Sequence, residues 1–186
     1  LLSLNVFSQY IYEGNQSLID LTTQSNTTNL NSGDDRVSNA FSLGFNFDFY
    51  NQTFSSARMA TNGCLHFKTS GAYCSDYTPD PLANQYTYTM LPFWTDLIRD
   101  NGSKMLAKNF DDMTVFGWYN MREYNRASDN SFEVILWTND TFEYRYGALD
   151  IINHDVLIGE VGSGSSEVYQ YLFHDECNTG TTNSSS

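Results

Sequence analysis

The arrangement in the sequence most suggestive of catalysis is an acid beside an aromatic ring. Asp96 follows Trp94 by two residues, and sugar-cleaving sites often place an indole next to a carboxyl group. A glycoside hydrolase needs two carboxyl groups flanking the bond it cleaves, and the many carboxylates of this chain make that chemistry the first to consider. The alternative, which we favour, is that Trp94 belongs to the core and Asp96 ends its strand.

The histidines offer little further chemistry. His66, His154 and His174 are far apart and do not follow the spacing of metal ligands. His66 alternates with the apolar residues Leu65 and Phe67, so its side chain is predicted to face solvent. The run His174 to Cys177 gathers ligand types, but it lies where the domain is expected to end. We therefore predict no catalytic residue, no metal site and no cofactor, and the chain is not expected to be an enzyme.

The charge of the chain limits its partners. The net charge is −13, with nine Lys and Arg residues, which argues against binding to a nucleic-acid backbone. Asp34 and Asp35 lie in the polar stretch 23–39, where they form either part of a calcium site or a solvated loop. The loop is the preferred interpretation, because the spacing of a calcium-binding loop is absent. No apolar run is long enough to insert into a membrane.

Six Asn-x-Ser/Thr sequons indicate a secreted glycoprotein. Several fall between predicted strands, where a glycan would be exposed. The predicted N-glycosylation sites are Asn15, Asn26, Asn51, Asn101, Asn139 and Asn183.

The three cysteines fit an oxidising compartment. Cys64 and Cys74 are ten residues apart, and a local disulfide between them needs only adjacent strand ends. Two reduced thiols are the alternative. Cys177 is left over and is predicted to pair with another domain or another chain.

The stretch Leu43 to Phe67 contains the clearest local structure. Phe45, Phe47 and Phe49 alternate with polar residues, which predicts a strand with one buried aromatic face. Asn62-Gly63 predicts a type I′ hairpin turn, since such a turn needs positive φ at both central residues. Three antiparallel strands are expected here.

The rest of the chain extends this pattern. Aromatic residues make up 16% of the sequence, and no window has sustained helical periodicity, so we predict an all-β fold: an antiparallel β-sandwich built from hairpins with long glycosylated loops. Residues 1–177 are expected to form one domain and residues 178–186 a Ser/Thr-rich linker. Short strands are predicted within residues 1–22. Five charged residues are expected to face solvent from their strands: Arg122, Glu123, Glu133, Glu143 and Arg145.

The order of several motifs resembles the nidogen-type (NIDO) domain, over about residues 40–173. The segments carrying the resemblance are 44–50, 61–67, 91–97, 130–136 and 142–149. The resemblance implies an extracellular module without enzymatic activity. Cys64 and Cys74 depart from the family pattern.

These observations together predict a structural or adhesive module of a secreted or cell-surface glycoprotein, in an extracellular matrix or filamentous assembly. The expected partners are other extracellular proteins or copies of the chain itself, through edge strands and Cys177. A carbohydrate-binding module using exposed rings of the 69–88 loop is the alternative, and a glycoside hydrolase comes third. Exposure of Trp94 and Trp118 distinguishes these classes, because buried indoles favour the structural module.

Overall fold

A computed structural model describes residues 14, 16–30, 33–70, 74, 77–79, 86–164, 167–175 and 181–183. Strands dominate this part of the chain, with one short 3₁₀ turn at Leu21–Thr23. The strands are β1 Thr28–Asn29, β2 Phe41–Phe49, β3 Gln52–Ala60, β4 Cys64–His66, β5 Thr89–Trp94, β6 Leu97–Ile98, β7 Lys104–Asn109, β8 Met113–Glu123, β9 Asn130–Trp137, β10 Phe142–Tyr146, β11 Val156–Val161, β12 Val168–Asp175 and β13 Thr181–Asn183.

The strands form two antiparallel sheets that pack face to face. The six-stranded sheet has the order β1-β7-β8-β9-β10, with β6 paired to β8, and the seven-stranded sheet has the order β13-β12-β11-β5-β4-β3-β2. A large apolar core fills the space between them. The predicted all-β antiparallel sandwich is confirmed. Strand β13 lies inside the predicted linker 178–186, where it extends the seven-stranded sheet beside β12.

The three-stranded unit predicted from Leu43 to Phe67 is present as β2, β3 and β4. Along β2, Phe47 and Phe49 are buried and Asp48 is exposed, while Phe45 packs half-buried against the core. The ring of Phe67 lies 5.5 Å from that of Phe47 and 5.0 Å from that of Phe49. Period-two alternation therefore identified the core face of this strand correctly.

The predicted type I′ turn at Asn62-Gly63 is wrong. Gly63 has φ of 80°, but Asn62 has no positive φ, and residues 61–63 form a three-residue turn closed by a 3.2 Å hydrogen bond from Gly63 N to Ala60 O. Positive φ at both central residues occurs instead at Tyr50 and Asn51, with values of 47° and 58°. The hydroxyl of Tyr50 donates to Glu160 at 2.9 Å and so links this turn to β11.

Side chains of the six-stranded sheet donate hydrogen bonds to backbone carbonyls of the seven-stranded sheet. The indole Nε1 of Trp118 donates to Ala60 O at 2.8 Å in the centre of the core. Near one edge, the hydroxyls of Tyr144 and Tyr146 donate to the carbonyls of Gly159 and Pro92 at 2.9 and 2.7 Å. The ladder between β11 and β5 is irregular at these carbonyls, so the tyrosines satisfy acceptors that the bulge releases.

The outer face of the six-stranded sheet is covered by the segment 16–23, which we call the strap. Leu18, Ile19 and Leu21 of the strap pack on this face. Glu133 is fully buried beneath it and accepts from the backbone N of Ile19 and Asp20, each at 2.8 Å. The predicted solvent-facing position of Glu133 is therefore wrong, and so is a strand at residues 16–22. The residues 1–13 lie outside the described part.

The outer face of the seven-stranded sheet carries the predicted disulfide. Cys64 and Cys74 are bonded, with their Cα atoms 6.2 Å apart, and both are buried. The ring of Tyr86 lies edge-on to the buried Trp94 at 5.1 Å. The disulfide thus anchors the loop that follows β4 over a second apolar cluster.

Gly63 leaves less room for a Cβ than any other glycine whose surroundings the structure describes, and it gives a first prediction. A Cβ at Gly63 would overlap the carbonyl oxygen of Phe93, and the residue has positive φ. Gly63→Ala is expected to lower the free energy of unfolding by about 3 kcal/mol, measured by urea denaturation. Gly164→Ala is the matched control, because a Cβ there meets nothing within 4 Å. Equal unfolding midpoints for the two variants would contradict this account of the turn.

Candidate functional site

Three ionisable side chains meet at one end of the sandwich. Asp96 follows β5, Glu123 is the last residue of β8, and His154 lies in the loop before β11. His154 Nδ1 is 2.9 Å from Glu123 Oε1, and His154 Nε2 is 3.5 Å from Asp96 Oδ2. The sequence singled out Asp96 and dismissed His154, and it gave no sign that the two lie together.

Glu123 is fully buried, which corrects its predicted solvent-facing position. The strand is irregular at Asn120, whose φ is 52°, so the alternation that would turn Glu123 outwards is broken. Its carboxylate accepts from the side chains of His154 and Arg126. It also accepts from the backbone N of Ile152 at 3.2 Å and of Asn153 at 2.6 Å. Glu123 therefore holds the 152–154 loop against the sandwich.

The pKa values of the two carboxyl groups beside His154 are shifted in opposite directions. Burial alone would raise the pKa of Glu123, but the hydrogen bonds from His154, Asn153, Arg126 and Ile152 outweigh it and lower that pKa. Burial raises the pKa of Asp96 to about 6, partly offset by His154. Only 6% of Asp96 is exposed, and it has one contact at 3.5 Å in place of several donors.

A pair of carboxyl groups with separated pKa values is also the pattern of an acid–base catalyst. Catalysis requires that both groups reach a substrate. Glu123 is fully buried and holds backbone, and Asp96 is almost as buried. The arrangement supports the loop and does not form a cleft for a glycosidic bond.

His66 also differs from its prediction, since it is buried and does not face solvent. Its Nδ1 lies 2.9 Å from the hydroxyl of Thr89. This is the geometry of a base and a hydroxyl nucleophile, but both residues are fully buried. No substrate can reach them in this fold.

The two tryptophans chosen to distinguish the function classes are fully buried. Trp94 packs in the outer cluster with Cys64, and Trp118 stacks on Phe132 at 4.9 Å. Neither indole can line an open groove for a sugar ring. The expectation that Trp94 belongs to the core is confirmed.

Asp34 and Asp35 lie in the described part of the polar stretch. Asp35 accepts from the amide of Asn62 at 2.8 Å, and burial, followed by the charge of Asp35, raises the pKa of Asp34. Among the described residues, no group of three or more His, Cys, Asp or Glu side chains is arranged to hold a metal ion. Cys177 lies outside the described residues.

Four predicted glycosylation sites are exposed: Asn26, Asn51, Asn101 and Asn139. Asn51 lies at the tip of the β2–β3 hairpin and Asn139 at that of the β9–β10 hairpin. Asn139 Oδ1 accepts from Thr141, which leaves its Nδ2 for a glycan. Asn15 lies outside the described residues, and only the backbone of Asn183 is described. Glycosylation at these positions stays a prediction.

The fold and this site define an all-β module with buried aromatic rings and a charged end that anchors loops. The family model described as "NIDO related" matches residues 9–185. The chain therefore belongs to the NIDO-related family, which confirms the resemblance seen in its motifs. Membership indicates an extracellular module of a generally non-enzymatic class.

The other comparisons add no relatives. No curated protein and no solved structure matches the chain. In the part of the chain that the structure describes, no helix has the length and apolar character needed to cross a membrane.

The hydrogen bonds to Glu123 predict that its carboxylate contributes substantially to the free energy of unfolding. Because the pKa of Glu123 is lowered in the folded state, its contribution is present above its unfolded pKa and is lost as pH falls through the folded pKa. Glu123→Gln is expected to lower the free energy of unfolding at pH 7 by about 2 kcal/mol. It should also flatten the loss of stability below about pH 4.5, near the ordinary pKa of a glutamate. Urea denaturation across pH measures both effects.

Glu143→Gln is the control for this experiment. Glu143 is partly exposed and pairs with Arg145 at 2.8 Å, and such surface pairs contribute about 0.5 kcal/mol. If Glu123→Gln costs no more than Glu143→Gln at pH 7, the loop does not depend on the Glu123 carboxylate.

Proposed function

We propose that the chain is a non-catalytic structural or adhesive module of a secreted or cell-surface glycoprotein, within an extracellular matrix or filamentous assembly. The observation that carries the proposal is the match to the NIDO-related family over residues 9–185. Burial of Trp94 and Trp118 supports it, because these rings pack in a rigid core and do not line an open binding site.

The positions of the sequons support a glycoprotein. Asn51 and Asn139 occupy neighbouring hairpin tips, since Asp48 N donates to Asp140 Oδ1 at 2.8 Å and the rings of Phe49 and Phe142 are 6.3 Å apart. Two glycans there would shield the same end of the sandwich. Exposed turns are where a glycosylating enzyme finds its acceptor.

We infer that the module acts through contacts with other extracellular proteins or with copies of itself, through strand edges and Cys177. The β2 edge is poorly suited to this role. The carbonyls of Ser42 and Leu43 accept from the side chains of Asn109 and Thr114, at 3.1 and 2.9 Å. Side chains that occupy an edge in this way hinder the addition of a strand.

One observation favours the carbohydrate-binding alternative. In the loop after the disulfide, the ring of Tyr77 is 54% exposed, and aromatic rings on loops stack on sugars. A glycan array probed with the deglycosylated chain tests this. Binding that is lost in Tyr77→Ala would favour the alternative over a purely structural role.

The main test is secretion of the chain from a eukaryotic cell, followed by intact mass with and without enzymatic removal of N-glycans. We expect a secreted protein that loses the mass of several glycans. Asn51→Gln is expected to remove one glycan from the total, because Asn51 is an exposed hairpin tip.

Asn120→Gln is the matched control. Asn120 is likewise exposed at positive φ, 52° against 58° for Asn51, but lies outside a sequon. Its glycan count should equal that of the wild type. Non-reducing gels of Cys177→Ser test the covalent contact, and loss of disulfide-linked species is expected. An unglycosylated, intracellular and monomeric product would overturn the proposed function.

A further inference from the structure

The strap crosses the six-stranded sheet strand by strand and reaches its edge at β10. Followed towards the N-terminus, its backbone bonds to one side chain of each strand in turn: Leu21 N to Tyr119 of β8 at 2.9 Å, Ile19 N to Glu133 of β9 at 2.8 Å, and Ser17 O to Arg145 of β10 at 3.3 Å. Leu18 lies beside Gly147, directly after β10. The chain that precedes the strap therefore starts at the β10 edge of this sheet.

Strand β10 directs alternate N–H groups away from β9. Among the strands that the structure describes, it pairs with β9 alone. Gly147 N bonds to Ser131 O at 2.8 Å, so in this register the odd-numbered residues of β10 bond to β9. Because bonded and non-bonded pairs alternate in an antiparallel ladder, the N–H groups of Tyr144 and Tyr146 point to the opposite side. They are donors for an additional strand.

The seven-stranded sheet continues beyond β10. The hydroxyls of Tyr144 and Tyr146 reach the carbonyls of Gly159 in β11 and Pro92 in β5, so β10 lies over these two strands. Strands β12 and β13 follow β11 in the sheet order and extend outwards past β10. The result is a groove that has the edge of β10 as its wall and the inner face of β12 as its floor. We call it the acceptor groove.

Tyrosine side chains of β12 line the floor of the acceptor groove. Tyr169 is the register partner of Glu160, and directly opposed residues share a face. Glu160 accepts from Tyr50, which packs against the core between the sheets, so Tyr169 also faces inwards. Burial, and then the neighbouring Tyr171, raise the pKa of Tyr146, which places Tyr171 beside β10. Tyr169 is 38% and Tyr171 47% exposed, so the floor is aromatic and accessible.

The sequence before the strap has the pattern of a strand. Residues 1–13 lie outside the described residues, and most of their odd positions are polar. Large apolar or aromatic side chains occupy the even positions Leu2, Leu4, Val6, Tyr10 and Tyr12. Gly14-Asn15, a pair typical of turns, separates them from the strap. The five residues of β10 span about 17 Å at about 3.3 Å per residue, so the segment is long enough to line the whole edge.

We propose that the N-terminal segment 2–12 docks in the acceptor groove of its own chain, as an extra strand on the edge of β10 with its even-numbered side chains on Tyr169 and Tyr171. An extended segment matches both surfaces of the groove. Its carbonyls accept from the N–H groups of Tyr144 and Tyr146, and its apolar side chains cover the tyrosines of β12. The strap determines the choice of occupant, because it brings this segment to β10.

The docked segment goes beyond the proposed function by restricting which edges can make contacts. A covered β10 cannot accept a strand from another molecule, and the β2 edge is occupied by the side chains of Asn109 and Thr114. Contacts between copies of the chain would then fall to other edges of the two sheets.

Hydrogen exchange of single amides, read by NMR on the full glycosylated chain, tests the docking. We expect the amides of Tyr144 and Tyr146 to exchange at least about a hundredfold more slowly than unprotected amides. The amides of Glu143 and Arg145 are the internal control, because they bond to β9 and are protected with or without the segment. Smaller protection of Tyr144 and Tyr146, beside a protected Glu143 and Arg145, would overturn the proposal.

Two variants show whether residues 2–12 provide the protection. Val6→Asp places a charge on the face that meets the tyrosines and should reduce the protection of Tyr144 and Tyr146 at least about tenfold, since an unpaired buried charge opposes docking. Asn5→Asp is the matched control, because it adds the same charge on the opposite face and should leave the protection unchanged. Equal protection in the two variants would overturn the docking of this segment. If Val6→Asp does not fold, the wild-type amides still decide.

Dilution distinguishes the chain's own segment from that of a neighbour. Protection by its own segment does not depend on protein concentration, whereas protection that is lost on dilution would assign the groove to a second copy and overturn the proposal. None of these results bears on secretion or glycan number, so the proposed function stands or falls separately.

Discussion

The hydrogen bond from the Trp118 indole to the Ala60 carbonyl sets the position of one sheet on the other. It joins β8 to the end of β3 at 2.8 Å in a site without water access. Phe132 stacks on the same indole and lies 5.3 Å from Phe93, whose carbonyl leaves no room for a side chain at Gly63. The tight turn, the aromatic stack and the alignment of the sheets therefore depend on one another.

Buried carboxylates hold the irregular segments to this frame. Glu133 binds the strap, Glu123 binds the 152–154 loop, and Glu160 accepts from the hydroxyl of the strained Tyr50. Each carboxylate lies next to a segment with a backbone N–H or a hydroxyl group that has no hydrogen-bond partner within a β-sheet. Burying an acid is unfavourable unless donors surround it. Glu133 and Glu123 each have several donors, so these two positions fix which segments can lie there.

The elements that obey local rules were predictable from the sequence. Alternation revealed the core face of β2, and the motif order identified the family. The errors have two causes: burial by chain that is distant in sequence, and an irregularity within a strand. Glu133 looked solvent-facing because the strap that buries it is more than 100 residues away, and Glu123 because a bulge at Asn120 reverses its face. Period-two alternation assumes one wet face, whereas both outer faces of this sandwich are partly covered.

The charged end shows why chemistry-bearing residues do not by themselves make an enzyme. Asp96 and Glu123 touch the same imidazole, yet one pKa is raised and the other lowered. The difference lies in the donors: Glu123 receives two backbone N–H groups and two side chains, while Asp96 has only the ring at 3.5 Å. Because Glu123 is fully buried and Asp96 is only 6% exposed, these carboxyl groups are closed to a substrate, and the hydrogen bonds to Glu123 hold the 152–154 loop against the sandwich.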